Sequence, residues 1–278
     1  NGDNPNPQGG DGGWEAEEEL PLLNGFYQSR IDELNSYLIN NPEGITPCAE
    51  IAKFKNYGTQ FQNIMTYTVP ANISNRIYDF HTSCYCTWDE MFGTNYNLQN
   101  LNAADGSLVN CDMFPVKIAT FPYLNGVQMT PQSLLEYFRL DLNTFSANGY
   151  ATFSPYVYNT INEISLFNSP YTLSDGALVH INMLNNGTVV QSGYINSPLS
   201  NHFTFSTIAT PLDDLHPVSA NRQFGVYWDA NNASWNFYTS GVDRVTDIIT
   251  GALGGQTLGF AAADQLWKSM QNNMINFI

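Results

Sequence analysis

Residues 176–240 contain the sequence feature that most restricts the fold. It is a series of short segments, either apolar or with alternating polar and apolar side chains, that are separated by turn residues. The pair Asn186-Gly187 lies between the first two segments and favours a type I′ turn. An Asn-rich turn separates the last two. Short strands joined by tight turns pair antiparallel, so this region predicts an antiparallel sheet. The predicted strands cover residues 176–184, 188–195, 201–209, 222–229 and 234–240.

Helical patterns lie before and after these strands in the sequence. Two of them begin with Thr-Pro, at Thr46-Pro47 and Thr130-Pro131, the order of an N-cap and a first helical residue. Residues 59–125 are rich in Tyr, Thr and Asn and predict strands and loops. The fold class is therefore α+β, with an antiparallel sheet in the C-terminal half and helices on both sides of it. The predicted helices cover residues 26–40, 46–55, 131–145, 243–250 and 257–277.

Residues 1–19 have the composition of a flexible tether, with six acidic residues and no basic one. Residues 20–278 are predicted to form a single large domain. If there are two domains, their boundary is expected near residues 147–152. The chain opens with Asn1 rather than Met, so we expect a processed protein whose targeting segment has been removed.

The charge balance excludes one large class of partners. The chain has nine Lys and Arg residues against 25 Asp and Glu residues, a formal net charge of −16. Affinity for phosphates comes from clustered basic side chains, and here they are scattered, so nucleic-acid binding is excluded. Anionic membrane surfaces are disfavoured for the same reason. The polar surface is instead predicted to be largely uncharged, because the chain has 34 Asn residues.

The four cysteines allow three interpretations. Their even number and the predicted exterior location favour disulfides, which persist in oxidising compartments. A zinc site formed with His81 is a weaker alternative, because the Cys-x-Cys spacing is not that of a zinc knuckle. Buried thiols are the third alternative. We predict no metal site and no cofactor. The disulfide candidates are Cys48, Cys84, Cys86 and Cys111.

The densest group of polar side chains lies in residues 213–222, DDLHPVSANR, with Arg244 beyond it. His216 oriented by Asp213 or Asp214 could act as a general base, and Arg222 or Arg244 could stabilise a developing anion or bind one. The structural alternative is favoured, in which these arginines form ion pairs that fix loops to the sheet. The common local signatures of hydrolases, nucleotide-binding proteins and metalloproteases are absent from the sequence, which favours a protein without catalysis.

Two further segments are candidates for binding. Tyr227, Trp228 and Trp235 belong to an aromatic hairpin that could stack on sugar rings, although half of its side chains must face the core. Residues 248–277 contain small residues at a spacing of four, as in closely packed membrane helices. The uncharged run, residues 248–263, is too short for a predicted span, so a helix packed on the sheet is favoured.

The phrases HPVSANRQFG and FYTSGVDR resemble a module of secreted Bacteroidetes proteins over residues 170–250. Residues 1–13 also resemble the segment that follows the lipidated Cys in Bacteroidetes outer-membrane lipoproteins. The resemblance implies a secreted or surface-tethered protein, with membrane association through an N-terminal lipid anchor. It implies no defined activity.

These observations predict an extracytoplasmic, surface-tethered bacterial protein that recognises a protein or glycan partner without chemistry. The alternative is an exported effector or toxin. Such a protein would act on membranes through residues 248–277 or hydrolyse a substrate through His216.

Overall fold

A computed structural model describes residues 63–83, 95–105, 109–146, 151–183, 186–246 and 256–278. The predicted tether, the predicted helices at 26–40 and 46–55, and Cys48, Cys84 and Cys86 lie outside these ranges. The helices are α1 (Ala71–Ser83), α2 (Pro131–Leu140), α3 (Leu142–Phe145), α4 (Ile164–Phe167) and α5 (Gln256–Phe277). The strands are β1 (Asn97–Leu98), β2 (Val109–Ile118), β3 (Tyr123–Leu124), β4 (Val127–Gln128), β5 (Thr152–Pro155), β6 (Val157–Tyr158), β7 (Ile161–Asn162), β8 (Leu178–Asn182), β9 (Gly187–Ser197), β10 (Ser200–Ala209), β11 (Val218–Asp229) and β12 (Ser234–Val245).

The fold is mixed α+β, with a large antiparallel sheet and several helices. The strand order in the main sheet is β2-β12-β11-β10-β9-β8-β5, and β1 pairs with the end of β10. The sheet is not confined to the C-terminal half, because β2 pairs along its whole length with β12. The remaining strands form two small hairpins, β3–β4 and β6–β7.

The inner face of the sheet packs against α2 and α5, and this packing forms the main core. Phe138 of α2 is fully buried, with ring centroids 5.4 Å from Phe224 and 4.8 Å from Phe237. Trp267 of α5 lies edge-on to Phe224. The helix predicted over residues 131–145 is confirmed as α2 and α3, and that over residues 257–277 is confirmed as α5.

The N-terminus of α2 forms the expected cap. The Thr130 hydroxyl accepts a hydrogen bond from the Ser133 N–H at 3.1 Å, and the Ser133 hydroxyl accepts one from the Thr130 N–H at 2.8 Å. Pro131 fills the first helical position, where its missing N–H has no cost. Two backbone donors that the helix itself cannot pair are thereby satisfied.

The outer face carries α1 and a smaller core. Ile73 and Ile77 of α1 pack there with Tyr156, Leu178 and Val190. The prediction of strands and loops is therefore wrong for residues 71–83.

The hairpin β8–β9 is confirmed, but its turn differs from the prediction. Gly187 is the first residue of β9 and pairs with Ile181, so Asn186-Gly187 is not a two-residue turn. A two-residue turn with positive φ at both positions occurs instead in the β3–β4 hairpin, at Asn125 (φ 51°) and Gly126 (φ 80°). The predicted helix at 243–250 is wrong for residues 243–245, which continue β12.

Candidate functional site

The residues grouped by the sequence at 213–222 lie on opposite faces of the sheet. Arg222 points to the inner face, where its two terminal nitrogens donate to the Asp112 carboxylate at 2.6 Å each. Asp243 lies 3.5 Å from the same guanidinium group, and Asn110 donates to Asp243 at 2.8 Å. Trp267 covers the guanidinium carbon at 4.3 Å. Arg222 is therefore part of a buried ion cluster that joins β2, β11 and β12, rather than of an ion pair that fixes a loop to the sheet.

This cluster contains one basic and two acidic side chains, which has an electrostatic consequence. Burial raises the pKa of Asp243 to about 6, with Arg222 opposing the rise and Asp112 adding to it. An uncompensated buried carboxylate favours its neutral form.

Asp213 lies over the outer face, in the connection between β10 and β11. Its Oδ2 atom lies 2.8 Å from Nδ1 of His180, on β8, and accepts a hydrogen bond from the Thr188 hydroxyl, on β9. Its backbone N–H donates to the Thr210 hydroxyl. The hydrogen-bonded partner of Asp213 is thus His180 rather than His216.

His216 has a different environment. Its Nδ1 atom accepts a hydrogen bond from the Val218 N–H at 3.2 Å, and Gln99 bonds both its backbone N–H and its carbonyl. The imidazole lies against Gly187, where a Cβ atom would overlap it. Burial lowers the pKa of His216 to about 4, so the ring is neutral at neutral pH. Asp214 is exposed, with a positive φ of 56°.

The aromatic candidates lie at one end of the sheet. Trp228 and Trp235 are cross-strand partners, both half-buried, with ring centroids 5.7 Å apart. Tyr227 lies on the outer face beside Tyr238. The hairpin therefore does not present its aromatic side chains as one platform, because they are divided between the two faces.

Arg244, the remaining binding candidate, donates a hydrogen bond to the Leu101 carbonyl at 2.7 Å.

A cleft of about 530 Å³ lies on the outer face, between residues 63–69, residues 98–103 and strands β10 and β11. Thr66, Thr68, Asn100 and Asn102 are exposed along its walls. Among the described residues that line it there is no Asp, Glu, Lys, Arg or His. The cleft thus combines uncharged hydrogen-bonding groups with apolar ones, the latter from Met65, Tyr67, Val69, Leu98 and Leu101.

Buried polar contacts hold the cleft walls in place. Asn221 donates to the backbone carbonyls of Ile64 and Tyr67 at 3.0 and 3.2 Å and accepts from the Ser206 hydroxyl at 2.7 Å. The Tyr67 hydroxyl donates to Ser192 at 3.0 Å. Its burial raises the pKa of Tyr67. Because these groups already have partners, the cleft is preformed by a network of amides and hydroxyls.

The sequence prediction did not include this cleft. Its walls come from a part of the chain for which the sequence pattern predicted only strands and loops. Its floor comes from β10 and β11, which lie more than a hundred residues further along the chain. A high content of Asn and Thr in residues 63–69 and 98–103 is the one local signal that could have indicated it.

The described residues also address the metal and membrane hypotheses. In this part of the chain, no group of three or more His, Cys, Asp or Glu side chains is arranged to hold a metal ion. Likewise, none of the described helices has the length and hydrophobicity needed to span a bilayer. In α5, Phe260, Met270 and Met274 are buried within the protein. Cys111 is buried on β2 beside Val242, and its proposed partners lie outside the described ranges.

No protein-family model matches this chain, and no curated protein matches it. Among solved structures, the chain is similar to protein Ms6760 from Mycobacterium smegmatis, with a TM-score of 0.33 and 11% identity over 66% of this chain and 96% of that one. It is also similar to Ara h 8.0201, with a TM-score of 0.30 and 9% identity over 60% of this chain and 99% of the other. Similarity at this level assigns neither a family nor a function.

Proposed function

We propose that this chain is an extracytoplasmic, surface-tethered bacterial protein that binds a glycan or protein partner through the uncharged cleft on the outer face of its sheet, with no chemistry at the cleft itself. The observation that carries the proposal is the cleft lining, whose described residues offer amides, hydroxyls and apolar groups but no charged side chain. Its volume of about 530 Å³ lies within the usual range of ligand sites, about 300–1,000 Å³.

A neutral glycan is the ligand class that this lining favours. Sugar hydroxyls both donate and accept hydrogen bonds, and Asn and Thr side chains do the same. The apolar faces of sugar rings match side chains such as Tyr67 and Met65. An anionic ligand would meet no basic side chain among the described lining residues, on a chain with a net charge of −16. An uncharged peptide segment is the corresponding protein ligand.

The location is proposed from the sequence alone. The polar composition of residues 1–19 supports a tether, and the Cys content supports disulfides outside the cytoplasm. We also propose that helices at 26–40 and 46–55 precede the sheet. Metabolic labelling of the full-length protein with an alkyne fatty acid tests the lipid anchor, and a protein that is exported without label refutes it.

Binding to a panel of neutral and acidic oligosaccharides tests the cleft. Ala103 is exposed at its rim, so Ala103→Trp is expected to block it without disturbing the core. The double change Asn100→Ala and Asn102→Ala removes two exposed amides from the walls. Asn231→Ala, in the exposed β11–β12 turn, is the matched control.

Loss of neutral-oligosaccharide binding in the cleft variants, with binding kept in the control, supports the proposal. Unchanged binding in Ala103→Trp refutes it. A preference for acidic oligosaccharides refutes the choice of ligand class.

A further inference from the structure

Three side chains of the types that make up a serine-hydrolase triad lie together on the outer face, near the β5 edge of the sheet. Ser154 on β5 and His180 on β8 are direct cross-strand partners. Side chains in such a pair lie on the same face, with Cβ atoms about 4.5–5.5 Å apart. His180 is in turn the partner of Thr188 on β9. The register therefore produces a row of Ser154, His180 and Thr188.

Asp213 completes the arrangement from the far side of His180. Its Oδ2 atom lies 2.8 Å from His180 Nδ1 and also accepts from the Thr188 hydroxyl, which places the carboxylate toward β9. The two nitrogens of an imidazole ring point in diverging directions. Ser154 lies on the other side of His180, as its cross-strand partner on β5. With Nδ1 bonded to Asp213, Nε2 is the ring nitrogen that remains for a proton from Ser154. The order of the three residues along this row is that of a serine, a base and an orienting acid.

The exposure of the three groups follows the same order. The Asp213 side chain is 1% exposed, His180 is 18% exposed, and Ser154 is exposed at the sheet edge. A sheltered carboxylate oxygen that accepts a hydrogen bond from Nδ1 fixes the tautomer and orientation of the ring, so Nε2 is the nitrogen that accepts a proton. An exposed hydroxyl remains accessible to substrate.

Asn182 adds a hydrogen-bond donor to the same face. It lies two residues beyond His180 on β8, pairs with Thr152, and is exposed. It is therefore a diagonal neighbour of Ser154. A side-chain amide is one of the groups that stabilise the oxyanion of acyl transfer.

We propose that Ser154, His180 and Asp213 form an acyl-transfer site that hydrolyses carboxylic esters presented at an open surface, an activity separate from binding in the cleft. The Ser154 oxygen attacks the ester carbonyl while its proton passes to His180 Nε2. The bond from carbon to the leaving oxygen then breaks, and the alcohol takes that proton. Water attacks the acyl-serine by the same route, releasing the acid and restoring the Ser154 hydroxyl. Asn182 donates a hydrogen bond to the oxyanion both when the acyl-serine forms and when it is hydrolysed. Asp213 is a positioning residue that orients His180.

Hydrolysis of p-nitrophenyl acetate and labelling by a fluorophosphonate probe test the site in the full chain. The expected result is a labelled peptide containing Ser154, with labelling and esterase activity both lost in Ser154→Ala. Thr152→Ala changes another exposed hydroxyl on the same strand and is expected to retain both. His180→Gln is expected to slow hydrolysis by about 10²-fold or more, the usual contribution of a general base.

Asp213 and Asp214 offer a matched pair of variants. Asp213→Asn is expected to lower kcat by about 10²-fold or more with KM unchanged, and Asp213→Glu to restore part of the rate, whereas Asp214→Asn retains full activity. Wild-type hydrolysis no faster than that of Ser154→Ala overturns the proposal. Probe labelling that maps to another residue, or that persists in His180→Gln at the wild-type rate, overturns it as well. Ser154 is exposed on an edge strand, so these outcomes do not depend on whether the Asp213 variants fold.

Discussion

Replacing Gly241 with Ala tests whether the buried ion cluster stabilises the fold. Gly241 is the cross-strand partner of Arg222, and a Cβ atom there would overlap the guanidinium group. The arginine side chain has little space to move, because Asp112 binds it on one side and Trp267 covers its face. The variant therefore displaces the guanidinium from both of its carboxylate partners.

The expected loss follows from these contacts. Breaking a buried ion pair costs about 3–5 kcal/mol, because charged groups remain buried without compensation. Loss of the Arg222–Trp267 contact adds about 0.5–2 kcal/mol. Replacing Gly by Ala in a strand returns about 0.5–1 kcal/mol of backbone entropy. The net destabilisation is thus about 3–6 kcal/mol, a large part of the total stability of about 5–15 kcal/mol that is typical of domains.

Urea denaturation followed by tryptophan fluorescence measures this loss directly. The matched background is a variant with an apolar cluster, Asp112→Leu, Arg222→Met and Asp243→Leu, which removes the charges together. In that background the cost of Gly241→Ala is expected to fall below about 1 kcal/mol, because the flexible Met can yield. An equal cost in both backgrounds would refute the assignment of the effect to Arg222.

Three further predictions concern titration and helix capping. Asp243 has a folded pKa of about 6, above its ordinary value of 3.8. The free energy of unfolding of the wild type relative to Asp243→Asn is therefore expected to rise as the pH falls from above 6 toward 4, by up to about 3 kcal/mol. Denaturation curves taken across that pH range measure this change. His216 has a folded pKa of about 4, below its ordinary value of 6.5. The stability that the neutral ring contributes is therefore complete above pH 6.5 and is lost as the pH falls toward 4. His216→Gln is expected to flatten the resulting decline in Tm. Thr130→Ala removes the α2 cap and is expected to cost about 1 kcal/mol in urea denaturation, whereas Thr130→Ser, which keeps the acceptor, should cost little.

Local sequence signals predicted much of the sheet and the two helical segments that form α2, α3 and α5. The Thr130-Pro131 start and the apolar spacing that follows are sufficient to specify α2, and strand alternation marks β10 without tertiary information. The signal for α1 is weaker, because its packed face includes only a narrow stripe around Ile73 and Ile77. The sequence predicts a helix over residues 243–245, but these residues are part of a strand that pairs with β2. No local sequence pattern indicates a pairing with so distant a strand.

The site residues were harder to predict, because their contacts depend on strand register. Asp213 and His216 are close in sequence, but the hydrogen bond of Asp213 goes to His180, 33 residues away. Arg222 similarly binds Asp112, at a separation of 110 residues. The sequence identified the reactive residue types around 213–222, but it could not determine which face of the sheet each side chain occupies or which strands lie beside it.

The pairing of β2 with β12 also affects when the protein can fold during its synthesis. Asp112 and Ser240 are hydrogen-bonded neighbours 128 residues apart in the chain, and α5 follows later still. Closing so long a loop has an entropic cost before any contact compensates for it, which slows folding. The ribosome must therefore synthesise α5 before the main core can close. If the protein crosses a membrane as an unfolded chain, this late closure keeps the preceding strands ready for transport until α5 has been synthesised.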